Sequence, residues 1–177
     1  MKNTKVYMLC RLSLLSAAAI ALSALDGIFA PLLPPGAKAG ISNTVVMLSA
    51  KTLGLPATLV IVLLKSLFAL LTRGAVSGFL SLLGGLFSAL LLWALFRYTR
   101  AFGVFGISLL GAVTHSALQL LGSYLLYGAA VLAYAPILLS LSLPSGLITA
   151  ALLRATEAVL LRQPNITERK QTDEDSL

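Results

Sequence analysis

The stretch "PATLVIVLLKSLFALLTRGAVSGFLSLLGGLFSALLLWALF", residues 56–96, decides the fold class of this chain. It contains two long apolar runs, about 56–72 and 76–96, separated by a break at about 72–77. About 20 apolar residues in a helix cross the hydrocarbon core of a bilayer. Each run therefore predicts a membrane-spanning helix, and the break predicts a turn between them.

The composition of the whole chain extends this prediction beyond the two runs. Of its 177 residues, 58% are hydrophobic and only 11% are charged, and the mean hydropathy is +0.96. A soluble domain contains about 25% charged residues. With so few charges, the chain cannot cover a globule of this size with polar surface. The sequence therefore predicts an integral membrane protein.

Proline, glycine and charged residues divide the chain into further apolar segments. The breaks leave six of them, at about 10–30, 41–54, 56–72, 76–96, 103–127 and 130–153. The second and third are short and are joined by "KTLGLP", which favours a bent pair or a tilted short helix. The last contains Pro136 and Pro144, which favour a short piece followed by a kinked helix. We expect an all-α polytopic bundle of about six transmembrane helices in one domain, 1–155, followed by a polar, disordered cytoplasmic tail, 156–177.

The N-terminus has the pattern of a signal peptide, with Lys2, Lys5 and Arg11 before an Ala/Leu-rich core. The apolar run from Leu12 to Ala30 is interrupted only by Asp26 and is long enough to span. We interpret it as a retained first helix.

Basic residues predict the orientation, because cytoplasmic loops are enriched in Lys and Arg. Six spans with a cytoplasmic N-terminus leave only Lys38 and Arg73 outside, with Lys65 inside the membrane. The cytoplasmic side then holds Lys2, Lys5, Arg11, Lys51, Arg97, Arg100, Arg154, Arg162, Arg169 and Lys170. Both termini are therefore expected in the cytoplasm.

Several function classes are excluded by what the sequence lacks. The net charge of +7 is spread between apolar runs, so it does not indicate a nucleic-acid partner. One Cys and one His exclude a disulfide and a conventional zinc site. The chain has neither a phosphate loop ending in Gly-Lys-Ser/Thr nor an aspartate-rich diphosphate-binding motif. No catalytic residues, metal or cofactor are predicted for this chain alone.

Polar residues at membrane depth are costly and identify the candidate site. Lys65 lies in the middle of "LVIVLLKSLFALL", where its ammonium must snorkel, pair or face a polar cavity. His115 and Gln119 are four residues apart and share one helix face, which indicates either an interhelical hydrogen bond or a ligand site. The remaining candidates at membrane depth are Asp26, Lys38 and Asn43.

The interruption "PLLPPGAKAGISN", residues 31–43, breaks the backbone at the predicted outer surface. It brings Lys38 and Asn43 to the mouth of the bundle, where an ammonium and amides suit an anionic or carbonyl-bearing ligand. The alternative is a plain turn with a lysine at the membrane interface.

Small residues indicate close helix packing. The run "SLLGGLFSA" contains Gly84, Gly85 and Ser88, and the first helix contains Ala17 and Ala21 at a spacing of four. Such spacing lets two backbones approach closely, which serves packing within the bundle or against the helix of a partner.

Four of these motifs together resemble one family, called heptaprenyl diphosphate synthase component I or the Gx transporter family. They are "PPGAKAGISN", "VLLKSLFALL", "SLLGGLFSALLLW" and "GAVTHSALQLLGSYLLYG", in order over about residues 10–155. The family is itself similar to substrate-binding subunits of energy-coupling-factor transporters, which are six-helix proteins of the bacterial cytoplasmic membrane.

The resemblance implies a ligand site near the outer face and a docking face on the first helix. It makes ligand-binding candidates of Lys38, Asn43, Lys65, His115 and Gln119, and a docking motif of Ala17 and Ala21. The partners it implies are a small-molecule substrate, for which the lysines suggest anionic character, a transmembrane coupling protein and separate ATPases. The family name implies another role, as a membrane component assisting a prenyl diphosphate synthase in isoprenoid or quinone synthesis. A third hypothesis is a structural membrane protein whose polar residues only join helices.

Overall fold

The computed structural model describes residues 2–29, 40–99 and 101–162, and these residues form a helical bundle. The prediction of an all-α polytopic membrane protein is confirmed. The elements are α1 (Lys2–Phe29), α2 (Asn43–Thr52), α3 (Leu55–Arg73), α4 (Ala75–Tyr98), α5 (Val104–Tyr127), a 3₁₀ turn (Ala129–Tyr134) and α6 (Ala135–Arg162).

Within the described residues, five stretches are long and apolar enough to cross a membrane: Lys5–Ile28, Leu55–Arg73, Ala75–Tyr98, Val104–Tyr127 and Ala129–Ala158. No more than 39% of any of these stretches is buried inside the protein, so most of their apolar side chains face outward. A lipid environment covers such surface. The helix α2 is different, because its 10 residues extend only about 15 Å.

The short α2 lies against several longer helices. It contacts α1, α3, α4 and α6, while α3, α4, α5 and α6 pack as successive neighbours and α1 packs on α3. Seven of the ten residues of α2 are buried, from Thr44 to Ala50. The apolar core surrounds it and includes Met47 of α2, Val62 of α3 and Leu153 of α6. A central half-length helix is therefore held on most sides by protein rather than by lipid.

Gly74 makes the tight turn between α3 and α4. Its φ of +89° is a conformation that side chains with a Cβ rarely adopt. The turn brings the two helices together at once, since a Cβ added to Gly78 would lie 2.7 Å from the Cβ of Leu70. The break predicted at about 72–77 is therefore shorter in the structure, where Gly74 alone separates α3 from α4.

The two ends of the bundle differ in charge. At one end, called the basic end, Lys51 of α2 pairs with Glu157 of α6 at 2.5 Å, and the guanidinium of Arg154 lies 4.7 Å from the ring centre of Phe105. The topology also places Lys5, Arg11 and Arg97 toward this end. The opposite end, called the Asp26 end, includes Asp26 and Arg73. The proposed cytoplasmic location of the basic end stays a prediction from the charge pattern.

The first residues of the predicted tail belong to the last helix in the structure. Residues 156–162 continue α6, which contains Pro144 and ends at Arg162. Residues 163–177 lie outside the described residues, so the predicted disorder of the tail remains a prediction.

Candidate functional site

Asp26, three residues before the end of α1, holds the start of α2 in place. Its side chain is 2% exposed. One carboxylate oxygen accepts a hydrogen bond of 3.1 Å from the Ile41 N–H, and the other accepts bonds from the N–H and the hydroxyl of Ser42, at 3.1 and 2.6 Å. The first N–H groups of a helix have no partner within the helix, and a negative charge there is favourable. Asp26 therefore stabilises the entry into α2.

Lys65, in the middle of α3, contacts the first residue of α2. The side chain is 6% exposed, and its ammonium donates a 2.6 Å hydrogen bond to Oδ1 of Asn43. An ammonium can only donate, so the oxygen of the Asn43 amide must face Lys65. The NH₂ group of Asn43 is therefore directed away from Lys65 and is available as a donor elsewhere.

His115 and Gln119 occupy the buried face of α5, as their spacing predicts. They are 5% and 3% exposed, respectively. Nδ1 of His115 lies 3.4 Å from the hydroxyl of Ser88 on α4. Nε2 of Gln119 is buried and has no hydrogen-bond partner among the described residues. A buried amide donor without a partner costs about 1–3 kcal/mol, which makes it the least satisfied group at this place.

The approach of α4 to these two residues depends on Gly84. A Cβ at Gly84 would lie 2.8 Å from the carbonyl oxygen of His115 and 3.0 Å from Cγ of Gln119. Glycine therefore lets the α4 backbone pack directly on the polar face of α5. Gly85, next to it, makes the corresponding contact with Val62 of α3, where an added Cβ would lie 2.7 Å from Cγ1.

Asn43, His115 and Gln119 line one polar cavity between α2, α5 and α6. Its volume is about 20 Å³, which is room for roughly one water molecule or one polar group of a ligand. Hydroxyls from α5 and α6 complete its polar lining. The full lining is Gly40, Asn43, Ala112, His115, Ser116, Gln119, Leu138, Leu141, Ser142 and Ser145.

Gly40, the first described residue after the break, forms one wall of this cavity. Its φ is +76°, and an added Cβ would collide with the hydroxyl of Ser145. Its carbonyl accepts the N–H of Asn43 at 2.9 Å and lies 3.4 Å from the hydroxyl of Thr149. The chain therefore enters α2 in direct contact with α6.

The predicted ligand-binding and docking residues separate into three groups. Asn43, His115 and Gln119 lie together at the cavity, and Lys65 joins them through its bond to Asn43. Ala17 and Ala21 are on the exposed side of α1, away from this cavity. Lys38 lies outside the described residues.

Other residues of the site were not among the predicted ligand candidates. Asp26 was noted as a polar residue at membrane depth, but its partners, 15 and 16 residues along the chain, could not be read from spacing. Ser142 and Ser145 are three apart in "LSLPSG" and face the cavity. A polar i, i+3 pair beside a proline in an apolar helix was the available signal.

The fold and the site together define a polytopic helical membrane protein with a buried, donor-lined cavity beside a half-length helix. The profile of the family described as heptaprenyl diphosphate synthase component I matches residues 15–156. The chain belongs to this family. No curated protein and no solved structure matches the chain.

Proposed function

We propose that this protein is a membrane-embedded subunit that binds a small molecule carrying a hydrogen-bond acceptor, such as a carboxylate or carbonyl group. Nε2 of Gln119 is buried at the cavity and has no hydrogen-bond partner among the described residues, and this observation supports the proposal most directly. A ligand oxygen placed there would accept from Gln119 and from the NH₂ group of Asn43, and so would remove the cost of the unpaired donor.

The half-length α2 supports the same proposal. Transporters often bind substrates where a helix begins inside the membrane, because its free N–H groups favour negative charge. Here Asp26 already occupies the N–H groups of Ile41 and Ser42. The donors left for a ligand are therefore side chains rather than backbone. In this proposal the protein acts as the binding subunit of an uptake system like the energy-coupling-factor transporters, with the coupling protein and ATPases as separate chains.

The cavity is too small for a whole vitamin-sized molecule, since ligand pockets usually enclose about 300–1,000 Å³. A ligand would therefore enlarge it. Ser142, Ser145 and Leu138 on α6 are the walls that would move, because the first half of α6 follows a 3₁₀ turn in which none of the residues is buried.

The family description favours a second candidate function, a non-catalytic membrane component that associates with a prenyl diphosphate synthase. One structural observation supports it. Residues 5–10 of α1 are all exposed, so this end of α1, next to the basic end, is not packed against the other described residues. A soluble enzyme could bind to this unpacked segment, with Lys5 and Tyr7 at its surface.

Native mass spectrometry of the protein isolated from its own membrane separates the two functions. The first predicts a small molecule retained by the wild type and lost in Gln119→Met, which keeps the side-chain length but removes the amide. Ser123→Ala, one turn further along α5 and outside the cavity lining, is the matched control and should keep the molecule.

Co-purification of a prenyl diphosphate synthase, identified by its peptides and lost when residues 2–9 are deleted, would support the second function. If neither the wild type nor any variant retains a small molecule, the first function is contradicted. If the synthase still co-purifies after residues 2–9 are deleted, the proposed docking surface on α1 is contradicted.

A further inference from the structure

A second cavity, called the deep cavity, lies next to the polar cavity inside the bundle, between α2, α4, α5 and α6. Its volume is about 10 Å³, and Asn43 and Ala112 line both cavities. The lining of the deep cavity continues about one turn further toward the basic end, to Ser108 of α5 and Thr149 of α6. The two cavities therefore follow each other along the axis of the bundle.

Apolar side chains form the inner wall of the deep cavity. Val46 and Met47 of α2 and Leu92 of α4 line it, and all three are buried. They also belong to the apolar core of the bundle. The deep cavity is therefore walled by the interior of the protein and not by its membrane-facing surface.

The hydroxyl groups that line the deep cavity are already used as donors. Ser88 donates to a carbonyl of its own helix at 3.1 Å, and Ser108 donates to the carbonyl of Gly146 at 2.7 Å. The hydroxyl of Thr149 lies 3.4 Å from the carbonyl oxygen of Gly40. An acceptor group of a ligand would remain unpaired beside these hydroxyls, which is costly, whereas a methylene or methyl group needs no partner.

The two residues shared by the cavities separate a donor-lined part from an apolar part. Oδ1 of Asn43 accepts from Lys65, and Nδ2 of Asn43 lies 3.9 Å from the position that a Cβ of Gly40 would take. Gly40 lines only the polar cavity of the two, so the NH₂ group of Asn43 is on the polar side. Ala112 presents only a methyl group at the boundary, so no large side chain of α5 separates the cavities.

We propose that the polar and deep cavities are two parts of one binding site, and that its ligand is a monocarboxylate with a short apolar chain. The carboxylate binds in the polar cavity, and the chain extends into the deep cavity, about 6 Å or four helical residues further along the axis. This inference rests on the proposed function, because it takes the acceptor-binding cavity as the place of the carboxylate. It adds the class of substrate, an elongated molecule with one polar end and one apolar end.

Met47 determines how long a chain the site accepts. The deep cavity has room for only about one water-sized group, so a chain must displace one of its walls. Leu92 is held against α5, since an added Cβ at Gly111 would lie 2.8 Å from its Cδ2. The side chain of Met47 is unbranched, has three rotatable bonds and adapts to irregular space. Met47 is therefore the wall that moves.

The test measures binding of radiolabelled straight-chain acids to the full chain in lipid nanodiscs. Equilibrium dialysis gives the affinities, with binding to empty nanodiscs subtracted. Hexanoate should bind about fifteenfold more tightly than butanoate, because each of its two extra methylenes contributes about fourfold when buried. Octanoate should gain nothing further in the wild type. Adipate, which has the length of hexanoate but a carboxylate at both ends, should bind at least about tenfold more weakly than hexanoate.

Three variants assign the two ends of the ligand. Met47→Ala enlarges the deep cavity, so octanoate should bind more tightly than hexanoate in this variant. Leu90→Ala shortens an exposed side chain of α4 outside both linings and should keep the wild-type preference. Gln119→Met alters the polar cavity and should weaken the binding of all the monocarboxylates alike.

Equal affinities for butanoate and hexanoate would overturn the inference while leaving the acceptor-binding function intact. Adipate that binds as tightly as hexanoate, or a chain-length preference that Met47→Ala leaves unchanged, would also overturn it. If the wild type binds none of the acids saturably, the inference is overturned as well. Native mass spectrometry of the retained small molecule then decides separately whether the proposed function stands.

Discussion

Asp26 and Lys65 carry opposite charges inside the bundle but do not bond to each other; they bond to consecutive residues, Ser42 and Asn43, at the start of α2. One short segment therefore stands between a buried anion and a buried cation. Isolated buried charges are expensive, and a pair costs much less when each member is hydrogen-bonded. The arrangement fixes the position of α2 and the orientation of the Asn43 amide with the same two charges.

Replacing Asp26 should destabilise the protein strongly. Asp26→Asn keeps the shape but removes the negative charge, so the N–H groups of Ile41 and Ser42 lose a charged acceptor and Lys65 loses its nearby counter-charge. We expect a loss of about 2–4 kcal/mol in unfolding free energy, measured by denaturant titration in detergent micelles. A loss below about 0.5 kcal/mol would show that the carboxylate does not hold α2.

The Lys51–Glu157 ion pair at the basic end should stabilise the protein much less than Asp26 does, although its N–O distance of 2.5 Å is also short. The side chains of Lys51 and Glu157 are 35% and 27% exposed, and solvent screens such pairs. A double-mutant cycle with Lys51→Met and Glu157→Gln should give a coupling energy below about 1 kcal/mol, decreasing with added salt. A larger, salt-independent coupling would contradict this assignment.

Gln119→Leu should separate binding from stability. The substitution removes Nε2, which has no hydrogen-bond partner in the described part of the chain, so the unfolding free energy should stay the same or rise by about 1 kcal/mol. Ligand retention should be lost at the same time. Thermal unfolding and native mass spectrometry of the same sample measure both quantities, and a clear drop in melting temperature would mean that the amide has a structural partner.

Gly85→Ala should destabilise the α3–α4 pair, because the new methyl would lie 2.7 Å from Cγ1 of Val62. We expect a loss of about 1–3 kcal/mol. Val62→Ala in the same chain should recover part of this loss, since it removes the clashing methyl groups, and the two effects should therefore not add. Additive losses in denaturant titrations would show that the two residues do not meet.

The sequence was sufficient to predict the helices but not the hydrogen-bond partners of their polar residues. Apolar runs and the breaks between them, such as the one at about 72–77, predicted the spans, because length and composition alone determine whether a helix can cross a bilayer. The spacing of His115 and Gln119 also correctly predicted a shared buried face. Asp26 is an example of what could not be predicted. Its carboxylate bonds to Ile41 and Ser42, on the far side of the break, and a tertiary contact of this kind leaves no periodic pattern in the sequence.

The brevity of α2 has a consequence for how the protein is made. A segment of 10 residues is too short to be inserted into a bilayer by itself. It must therefore pack against helices that have already been inserted. Its start is bonded to Asp26 of α1 and Lys65 of α3, but its end pairs with Glu157, which lies near the end of the last helix. The cavity also takes walls from α5 and α6. The interior of this protein is therefore completed last during biosynthesis, because the polar cavity closes only after α6 has been translated and has packed onto α2.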